Sequence, residues 1–138
     1  MTDHATQPAL MSFSHASLSV RDLAASTAWY CDILGFVLLE PITAATWIEN
    51  VLVHPSGAVL SLQQHATNQG EPFDPTRTGM DHLAFRVAGR SDLDTWDAFL
   101  TERGVDHSAP IDEHYGSVLS LKDPDAVALE LFWRENHP

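Results

Sequence analysis

Alternating apolar and polar residues open both halves of the chain. The runs are residues 13–20 and 80–87, and in each one a histidine, His15 or His82, is followed by apolar residues at every second position. Strict alternation of this kind predicts a β-strand with one buried face. The two histidines are 67 residues apart, which is the first indication of an internal repeat.

A stretch with the periodicity of an amphipathic helix follows each strand. Residues 22–34 and 92–103 both carry apolar side chains three and four positions apart, which places these side chains on one stripe of a helix. Each stretch begins at an aspartate, a good N-terminal cap, and is followed by a glycine, Gly35 or Gly104, which suits a helix C-terminus. The glycines are 69 residues apart.

Three further strands complete each half. The pattern predicts them at residues 36–40, 46–54 and 58–63 in the first half and at 105–108, 117–121 and 127–133 in the second. Ser61 and Glu130 stand at matching positions of the last strands, again 69 residues apart. The repeated order predicts an α+β fold of two tandem β-α-β-β-β modules.

The repeat also divides the chain. Residues 1–10 lie outside it and are expected to be a disordered extension. Module one spans 11–65, a linker rich in Gly, Pro, Thr and Asn spans 66–79, and module two spans 80–138. Modules of roughly 55–60 residues are too small to bury a good core alone, so both are expected to form one domain.

Composition excludes some partners without defining a function. The 138 residues carry 19 Asp and Glu against 7 Lys and Arg, a net charge of -12, which argues against nucleic acid and anionic membrane surfaces. One cysteine, Cys31, excludes an intrachain disulfide, and no apolar stretch is long enough for a membrane span. The first residues lack the segments of a secretory signal, so the expected location is the cytoplasm.

Several segments of the repeat resemble the vicinal oxygen chelate superfamily, which includes glyoxalase I, bleomycin-resistance proteins, extradiol dioxygenases, methylmalonyl-CoA epimerase and fosfomycin-resistance enzymes. The matching segments are residues 14–23, 29–36, 81–85 and 123–131, and the resemblance extends over about residues 12–133. One departure is Ala126, where the family usually has glycine after Asp-Pro-Asp. The resemblance implies that the paired modules form a curved mixed sheet cup. Because small members of the family often pair, it also implies a homodimer.

Metal ligands in this family come from the first and last strand of each module. Carried over to this sequence, the ligand positions are His15, Ser61, His82 and Glu130. A neutral serine is a poor ligand, so the resemblance implies a centre of two histidines and one glutamate, with open positions for water or substrate. Strand alternation agrees, because the two histidines and the glutamate lie opposite the purely apolar faces. This set suits Fe2+, Mn2+, Zn2+, Ni2+ or Co2+ without distinguishing among them.

Other residues are expected to contact a small-molecule substrate. The candidates are Arg86, Gln63, Ser61, Trp47 and Phe132. Arg86 shares a face with His82 and suits an anionic substrate group, although a salt bridge at the sheet edge is the competing interpretation. Core packing is the competing interpretation for Trp47. His114 and Tyr115 precede Gly116 in a predicted loop and are candidates for a catalytic acid or base.

The resemblance implies a metal-dependent enzyme that chelates adjacent oxygens of a small substrate, with dioxygenase, lyase or isomerase chemistry. A ring-cleaving extradiol dioxygenase, an oxidoreductase, fits two histidines and one glutamate. A glyoxalase or epimerase expects a fourth ligand where Ser61 stands, and a fosfomycin-type transferase expects a tyrosine where Ser120 stands. The alternatives are a metal-free protein that binds an antibiotic or metabolite, as bleomycin-resistance proteins do, and an interaction module without a pocket ligand.

Overall fold

Eight strands and two helices form two successive β-α-β-β-β units in the computed structural model, which describes residues 7–138. The first unit consists of β1 (Ala16–Ser19), α1 (Leu23–Leu34), β2 (Val37–Thr43), β3 (Trp47–Val53) and β4 (Val59–His65). The second consists of β5 (Leu83–Arg86), α2 (Arg90–Glu102), β6 (Ile111–Glu113), β7 (Gly116–Lys122) and β8 (Ala128–Trp133). The α+β fold with two repeated modules is therefore confirmed. The expected extension, residues 1–10, falls partly on residues 1–6, which lie outside the described residues.

Each module builds its own mixed four-stranded sheet. The strand order is β1-β4-β3-β2 in one sheet and β5-β8-β7-β6 in the other, with the first and last strand of each module running parallel. Corresponding pairs occupy corresponding positions: Ser17 lies beside Ser61 in module one, and Ala84 lies beside Glu130 in module two. The 67- and 69-residue spacings therefore describe a structural repeat in which equivalent residues occupy equivalent places.

The helix boundaries follow from their caps. Asp22 accepts a hydrogen bond from the Ala25 amide at 3.0 Å, and Gly35 ends α1 in the left-handed region at φ 81°. The second helix begins at Arg90, two residues before the predicted start. Its Asp92 carboxylate accepts a hydrogen bond from the Gly89 amide at 2.8 Å, which places Asp92 inside the first turn instead of at the cap.

The predicted strand at residues 105–108 is wrong in its extent. Only His107 forms a bridge, to Leu121, and the regular edge strand of module two is β6, further along the chain. The backbone ladder between this segment and β7 breaks at Ser108. The Ser120 amide donates to the Ser108 hydroxyl at 3.0 Å and not to the Ser108 backbone carbonyl, which would continue the pairing. Pro110 follows, and it has no amide hydrogen to donate.

Both modules contribute to one shared core. Leucines predominate among its buried residues, with Leu52, Leu60 and Leu62 from module one and Leu119 and Leu129 from module two among those with almost no exposed surface. The opposite face of each sheet, here called its open face, carries the side chains that alternate with these residues. Neither helix is long and apolar enough to cross a membrane, as judged over residues 7–138.

Polar contacts join the modules at one end of this core. The Tyr30 hydroxyl of α1 donates to the Asp123 carboxylate at 2.7 Å, and Arg21 donates to Asp125 at 2.7 Å. Asp123 and Asp125 belong to the turn between β7 and β8. The same turn holds Ala126 at φ 63°, a left-handed conformation that an alanine adopts at some cost.

Candidate metal centre

His82 and Glu130 meet on the open face of module two. Glu130 lies beside Ala84 in the parallel pairing of β5 and β8, so His82, two residues earlier, is its diagonal neighbour. The His82 Nε2 atom lies 3.5 Å from Glu130 Oε2. Both side chains keep access to solvent, with 44% of His82 and 27% of Glu130 exposed. Two of the three predicted ligands therefore converge at a place that a small molecule can reach.

Asp81 orients the imidazole of His82. The Asp81 carboxylate oxygen lies 2.8 Å from His82 Nδ1, which donates the hydrogen bond. This contact directs Nε2, the other ring nitrogen, toward Glu130. The hydrogen bond to Asp81, with a further contribution from the charge of Glu130, raises the pKa of His82 above its ordinary value despite partial burial. A histidine whose second nitrogen is held by a carboxylate is the usual arrangement of a metal-ligating histidine.

The spacing of the two donor atoms fits a divalent transition metal. Two ligands about 2.1 Å from one ion are about 3.0 Å apart at an octahedral angle and about 3.4 Å apart at a tetrahedral angle. The observed 3.5 Å between His82 Nε2 and Glu130 Oε2 is close to this range. An imidazole nitrogen and a carboxylate oxygen also form the donor set that Mn2+, Fe2+, Co2+, Ni2+ and Zn2+ accept. The pair fits the metal that the sequence implied.

His15 belongs to the other sheet and does not join this pair. It is exposed directly before β1, and the Ser14 hydroxyl lies 2.9 Å from its Nδ1 atom. Across residues 7–138, no three His, Cys, Asp or Glu side chains gather into a group able to hold a metal. His82 and Glu130 thus lie together in module two, whereas His15 belongs to module one, in which Ser61 occupies the position equivalent to Glu130.

The substrate candidates of module one share the open face of its sheet. Ser61 is buried, with 3% of its surface exposed, and Gln63 accepts a long hydrogen bond of 3.5 Å from the Ser17 hydroxyl. The half-buried Trp47 lies two residues before Glu49, which is paired with Gln63, so Trp47 and Glu49 share this face with Gln63. This surface is polar near Gln63 and aromatic near Trp47.

Arg86 and Phe132 are neighbours on the open face of module two. They are paired across β5 and β8, one row beyond Glu130. The Phe132 ring covers Gly116, where an added Cβ would lie 2.6 Å from the ring and 2.6 Å from the Trp133 carbonyl oxygen. Glycine is therefore required at this position. Phe132 thus packs over Gly116, two positions beyond Glu130 in β8, with the exposed Arg86 paired to it in β5.

His114 and Tyr115 lie at the turn between β6 and β7, far from His82 and Glu130 of the same chain. Ser120 is the residue paired with Glu130, and Tyr115 precedes it by five positions. At the rise of a β-strand, this separation is about 17 Å along β7. The two rings contact each other, with their centroids 5.3 Å apart, and 48% of Tyr115 is exposed. The structure does not bring these catalytic candidates together with His82 and Glu130.

Two open clefts border the open faces. One of about 670 Å³ runs between β1 and β5 and is lined mainly by apolar residues and backbone, with Arg86 among its polar residues. Another of about 360 Å³ lies beside Glu130 and includes Ser108, Ser120 and Lys122. Sequence analysis did not anticipate the second cleft or the role of Asp81. The sequence nevertheless contains a signal for each. The Asp81-His82 pair indicates the orienting carboxylate, and the alternation along β7 places Ser120 and Lys122 on one face beside the cleft.

Comparisons with known proteins agree with this architecture. The profile of the Glyoxalase/Bleomycin resistance protein/Dioxygenase superfamily matches residues 12–131. The uncharacterized protein YaeR of Escherichia coli (strain K12) is 29% identical over 123 residues, covering 86% of this chain and 92% of YaeR. A glyoxylase/bleomycin resistance protein/dioxygenase domain from Frankia sp. EAN1pec superposes with a TM-score of 0.86 at 34% identity, covering 92% of this chain and 100% of that domain.

A more distant structure shares the fold alone. The fosfomycin resistance protein FosX from Listeria monocytogenes, solved with Mn(II) and a sulfate ion, superposes with a TM-score of 0.66 at 18% identity. The match covers 93% of this chain and 96% of FosX.

Proposed function

The chain belongs to the Glyoxalase/Bleomycin resistance protein/Dioxygenase superfamily, and we propose that it is a metal-dependent enzyme of this group. His82 and Glu130 bind one divalent ion, and His15 is its third protein ligand. The substrate is a small molecule with two adjacent oxygen atoms. The chemistry is that of a ring-cleaving dioxygenase, a lyase or an isomerase.

The observation that carries this proposal is the oriented pair on module two. His82 Nε2 and Glu130 Oε2 are 3.5 Å apart, and Asp81 holds the opposite nitrogen of the imidazole. A surface ion pair would need no such orientation, whereas a metal ligand does. FosX, which has the same fold, was solved with Mn(II), so a divalent ion is compatible with this architecture.

We propose that His15 reaches the pair from a second copy of the chain. The segment before His15 exposes three large apolar side chains: Leu10, Met11 and Phe13 are 96%, 100% and 79% exposed. Apolar side chains this exposed and this close together are characteristic of a protein interface. A homodimer that covers them would carry His15 toward the partner, where its Nε2 atom completes the ligand set. A two-fold symmetric pair would hold two such sites.

The ion, when bound, supplies a Lewis acid that stabilises negative charge on substrate oxygens. The protein's own residues bind and orient the substrate around it. Phe132 offers an apolar surface beside Glu130, and Arg86 offers a positive charge to an anionic group. His114 and Tyr115 lie too far from the metal centre of their own chain to act there. They remain candidates for an acid or base only if they reach the centre of the partner chain in a dimer.

Metal binding is the direct test. We expect the purified protein to bind Mn2+ by isothermal titration calorimetry with one site per chain, and Glu130→Gln to weaken the affinity by at least about tenfold. Glu49→Gln is the matched control, because Glu49 lies on the open face of module one, and its affinity should equal that of the wild type. If Mn2+, Fe2+ and Zn2+ all fail to bind after reconstitution, the proposal is wrong.

Mixing two variants that each lack one metal ligand tests whether the site is shared between two chains. His15→Ala and Glu130→Gln each lack one ligand, but a mixed dimer contains one complete site. After joint unfolding and refolding, we expect tight binding to return at about a quarter of the sites, the fraction given by random pairing in a two-fold dimer. No recovery, with dimers present, would show that His15 does not act across the interface.

The second candidate is a metal-free binding protein. The larger cleft of about 670 Å³, with its largely apolar lining, favours it, because a ligand could be held there by shape without a metal. It predicts that Glu130→Gln leaves ligand binding unchanged, whereas Arg86→Ala weakens it. Stoichiometric metal in the wild-type protein would decide against this alternative.

A further inference from the structure

The cleft of about 360 Å³ lies on the far side of Glu130 from His82. Its position follows from the strand register. Ser120 is paired with Glu130, and Lys122 is paired with Ala128. Leu119 and Leu121 alternate with these residues and are buried in the core, so the side chains of Ser120 and Lys122 belong to the open face. The cleft is therefore continuous with the proposed metal centre.

The segment beyond β7 adds a second row of polar residues. His107 bridges to Leu121, which places Ser108 opposite Ser120 and Asp106 opposite Lys122. One row across the sheet thus runs from Ser108 to Glu130, and the next runs from Asp106 through Lys122 to Ala128. The small side chain of Ala128 leaves space between Lys122 and His82, which lies on the other side of β8.

The distances suit a ligand that contacts the metal and Lys122 together. Diagonal neighbours on adjacent strands are about 7–8 Å apart at their backbones, and Lys122 and Glu130 stand in this relation. A lysine side chain spans much of this distance. An oxyanion beside Lys122 would therefore lie within a few bonds of oxygens that reach the metal.

The cleft provides hydrogen-bond donors together with a positive charge. The Ser108 hydroxyl oxygen already accepts a hydrogen bond from the Ser120 amide at 3.0 Å, so its hydrogen is available to donate. Lys122 is the single lysine of the sequence. Within residues 7–138 it forms no ion pair shorter than 4.0 Å, not even with Asp106. In a chain with a net charge of -12, a cation in this position acts locally on a bound group and not by long-range attraction.

We propose that this cleft is an oxyanion subsite, in which Lys122, Ser108 and Ser120 bind a carboxylate or phosphate group of the substrate. The inference rests on the proposed function and sharpens it, because it assigns the substrate to the class of small acids. Their anionic group occupies the cleft while their adjacent oxygens face His82 and Glu130. Asp106 borders the cleft and opposes the binding of anions.

Inorganic phosphate is the probe, and metal-free protein is the sample. In a titration followed by 1H-15N correlation spectra, we expect phosphate to shift the amides of Ser108, Ser120 and Lys122. Lys122→Met should weaken phosphate binding by at least about tenfold, because a charged hydrogen bond is lost, and Lys122→Arg should keep it within about threefold. Lys122 is exposed, so these variants should fold, and thermal unfolding would confirm this.

Asp106→Asn removes a negative charge that borders the cleft. If Lys122 binds the anion, Asp106→Asn leaves phosphate affinity unchanged or increases it. Equal phosphate shifts in the wild type and Lys122→Met, or no shifts at these amides, would overturn the inference. Mn2+ titration without phosphate reports on the proposed function separately. Metal binding without phosphate binding refutes only the subsite, whereas phosphate binding without metal binding refutes only the metal centre.

Discussion

The open faces of the two modules have the same backbone register but different chemistry. Where module two has Glu130, Ser120 and Lys122 in neighbouring places, module one has Ser61, Val51 and Val53. The first-strand histidine is retained in both. Module two therefore presents an acid, a hydroxyl and a base around its histidine, and module one presents one hydroxyl and two apolar side chains around His15.

This difference indicates that the two modules share a backbone fold while module two holds more of the ionisable side chains on its open face. Each histidine has a polar residue directly before it: the Ser14 hydroxyl lies 2.9 Å from His15 Nδ1, and the Asp81 carboxylate lies 2.8 Å from His82 Nδ1. The carboxylate orients the ring more strongly than the hydroxyl, since it is a charged acceptor. Module two is thus the organised half of the proposed centre, to which module one would contribute His15.

Among the tests of this comparison, the largest effect is expected from removing the charge that orients His82. Asp81→Asn should weaken Mn2+ affinity about 10–100-fold, the usual effect of losing a partner behind a metal ligand. Ser14→Ala is the matched change in module one and should weaken the affinity by less, because a hydroxyl orients a ring less strongly. Calorimetric titration of both variants measures the two effects. Equal losses would contradict the unequal roles of the modules.

The joint between the modules is also asymmetric. Tyr30 of α1 donates to Asp123 of module two at 2.7 Å, whereas the equivalent position of α2 is Phe99, which has no hydroxyl. Burial, followed by the charge of Asp123, raises the pKa of Tyr30 well above its ordinary value, so its phenol stays protonated and donates. Burial raises the pKa of Asp123 as well.

Tyr30→Phe should therefore lower the free energy of unfolding by about 1–2 kcal/mol. A buried acceptor that loses its hydrogen-bond donor usually costs about 1–3 kcal/mol. The expected loss lies in the lower part of this range, because Asp123 keeps hydrogen bonds from the Asp125 and Val127 amides. Tyr115→Phe is the control and should have almost no effect, since Tyr115 is exposed. Urea unfolding at neutral pH compares them. Equal stabilities of the two variants would show that the hydroxyl of Tyr30 does not secure the joint.

Local periodicity was sufficient to predict the repeat, both helices and the open face that carries His82 and Glu130. It was insufficient for the place of His15, because alternation assigns a residue to a face of its own sheet and not to a position relative to another sheet. The cleft at Lys122 was missed for a similar reason. Ser108 reaches it through a side-chain hydrogen bond with the Ser120 amide, and no hydrophobic pattern records such a bond.

The edge strands are the third difference between the modules. In module one, Leu38 is paired with Leu52 in a seven-residue strand that contains a bulge. At the equivalent place in module two, His107 bridges to Leu121 and the strand is interrupted. His107 donates to the Val105 carbonyl at 2.7 Å, and its other ring nitrogen lies 2.7 Å from a carboxylate oxygen of Asp97 in α2. The imidazole therefore connects the interrupted edge strand to α2.

Both ring nitrogens of His107 face acceptors, and only the protonated ring can donate to both. The hydrogen bond to Val105, and then the pairing with Asp97, raise the pKa of His107 above its ordinary value of 6.5 against the opposing effect of burial. Thr101 of α2 also lies near the ring, 3.4 Å from its Nε2 atom. The stabilisation should be fully present below about pH 6.5 and should be lost as the pH rises through the pKa of the folded state.

The smallest expected effect is therefore a pH-dependent one. His107→Gln should lower the free energy of unfolding at pH 5.5 by less than about 1 kcal/mol, since 39% of the Asp97 side chain is exposed and solvent screens the pair. At pH 9 the difference from the wild type should shrink, because the wild-type ring is then neutral. His114→Gln is the control, and this exposed change in the same module should leave the free energy of unfolding at pH 5.5 almost unaltered. A His107→Gln deficit that grows with pH would mean that the neutral ring, and not the imidazolium, holds the interrupted edge.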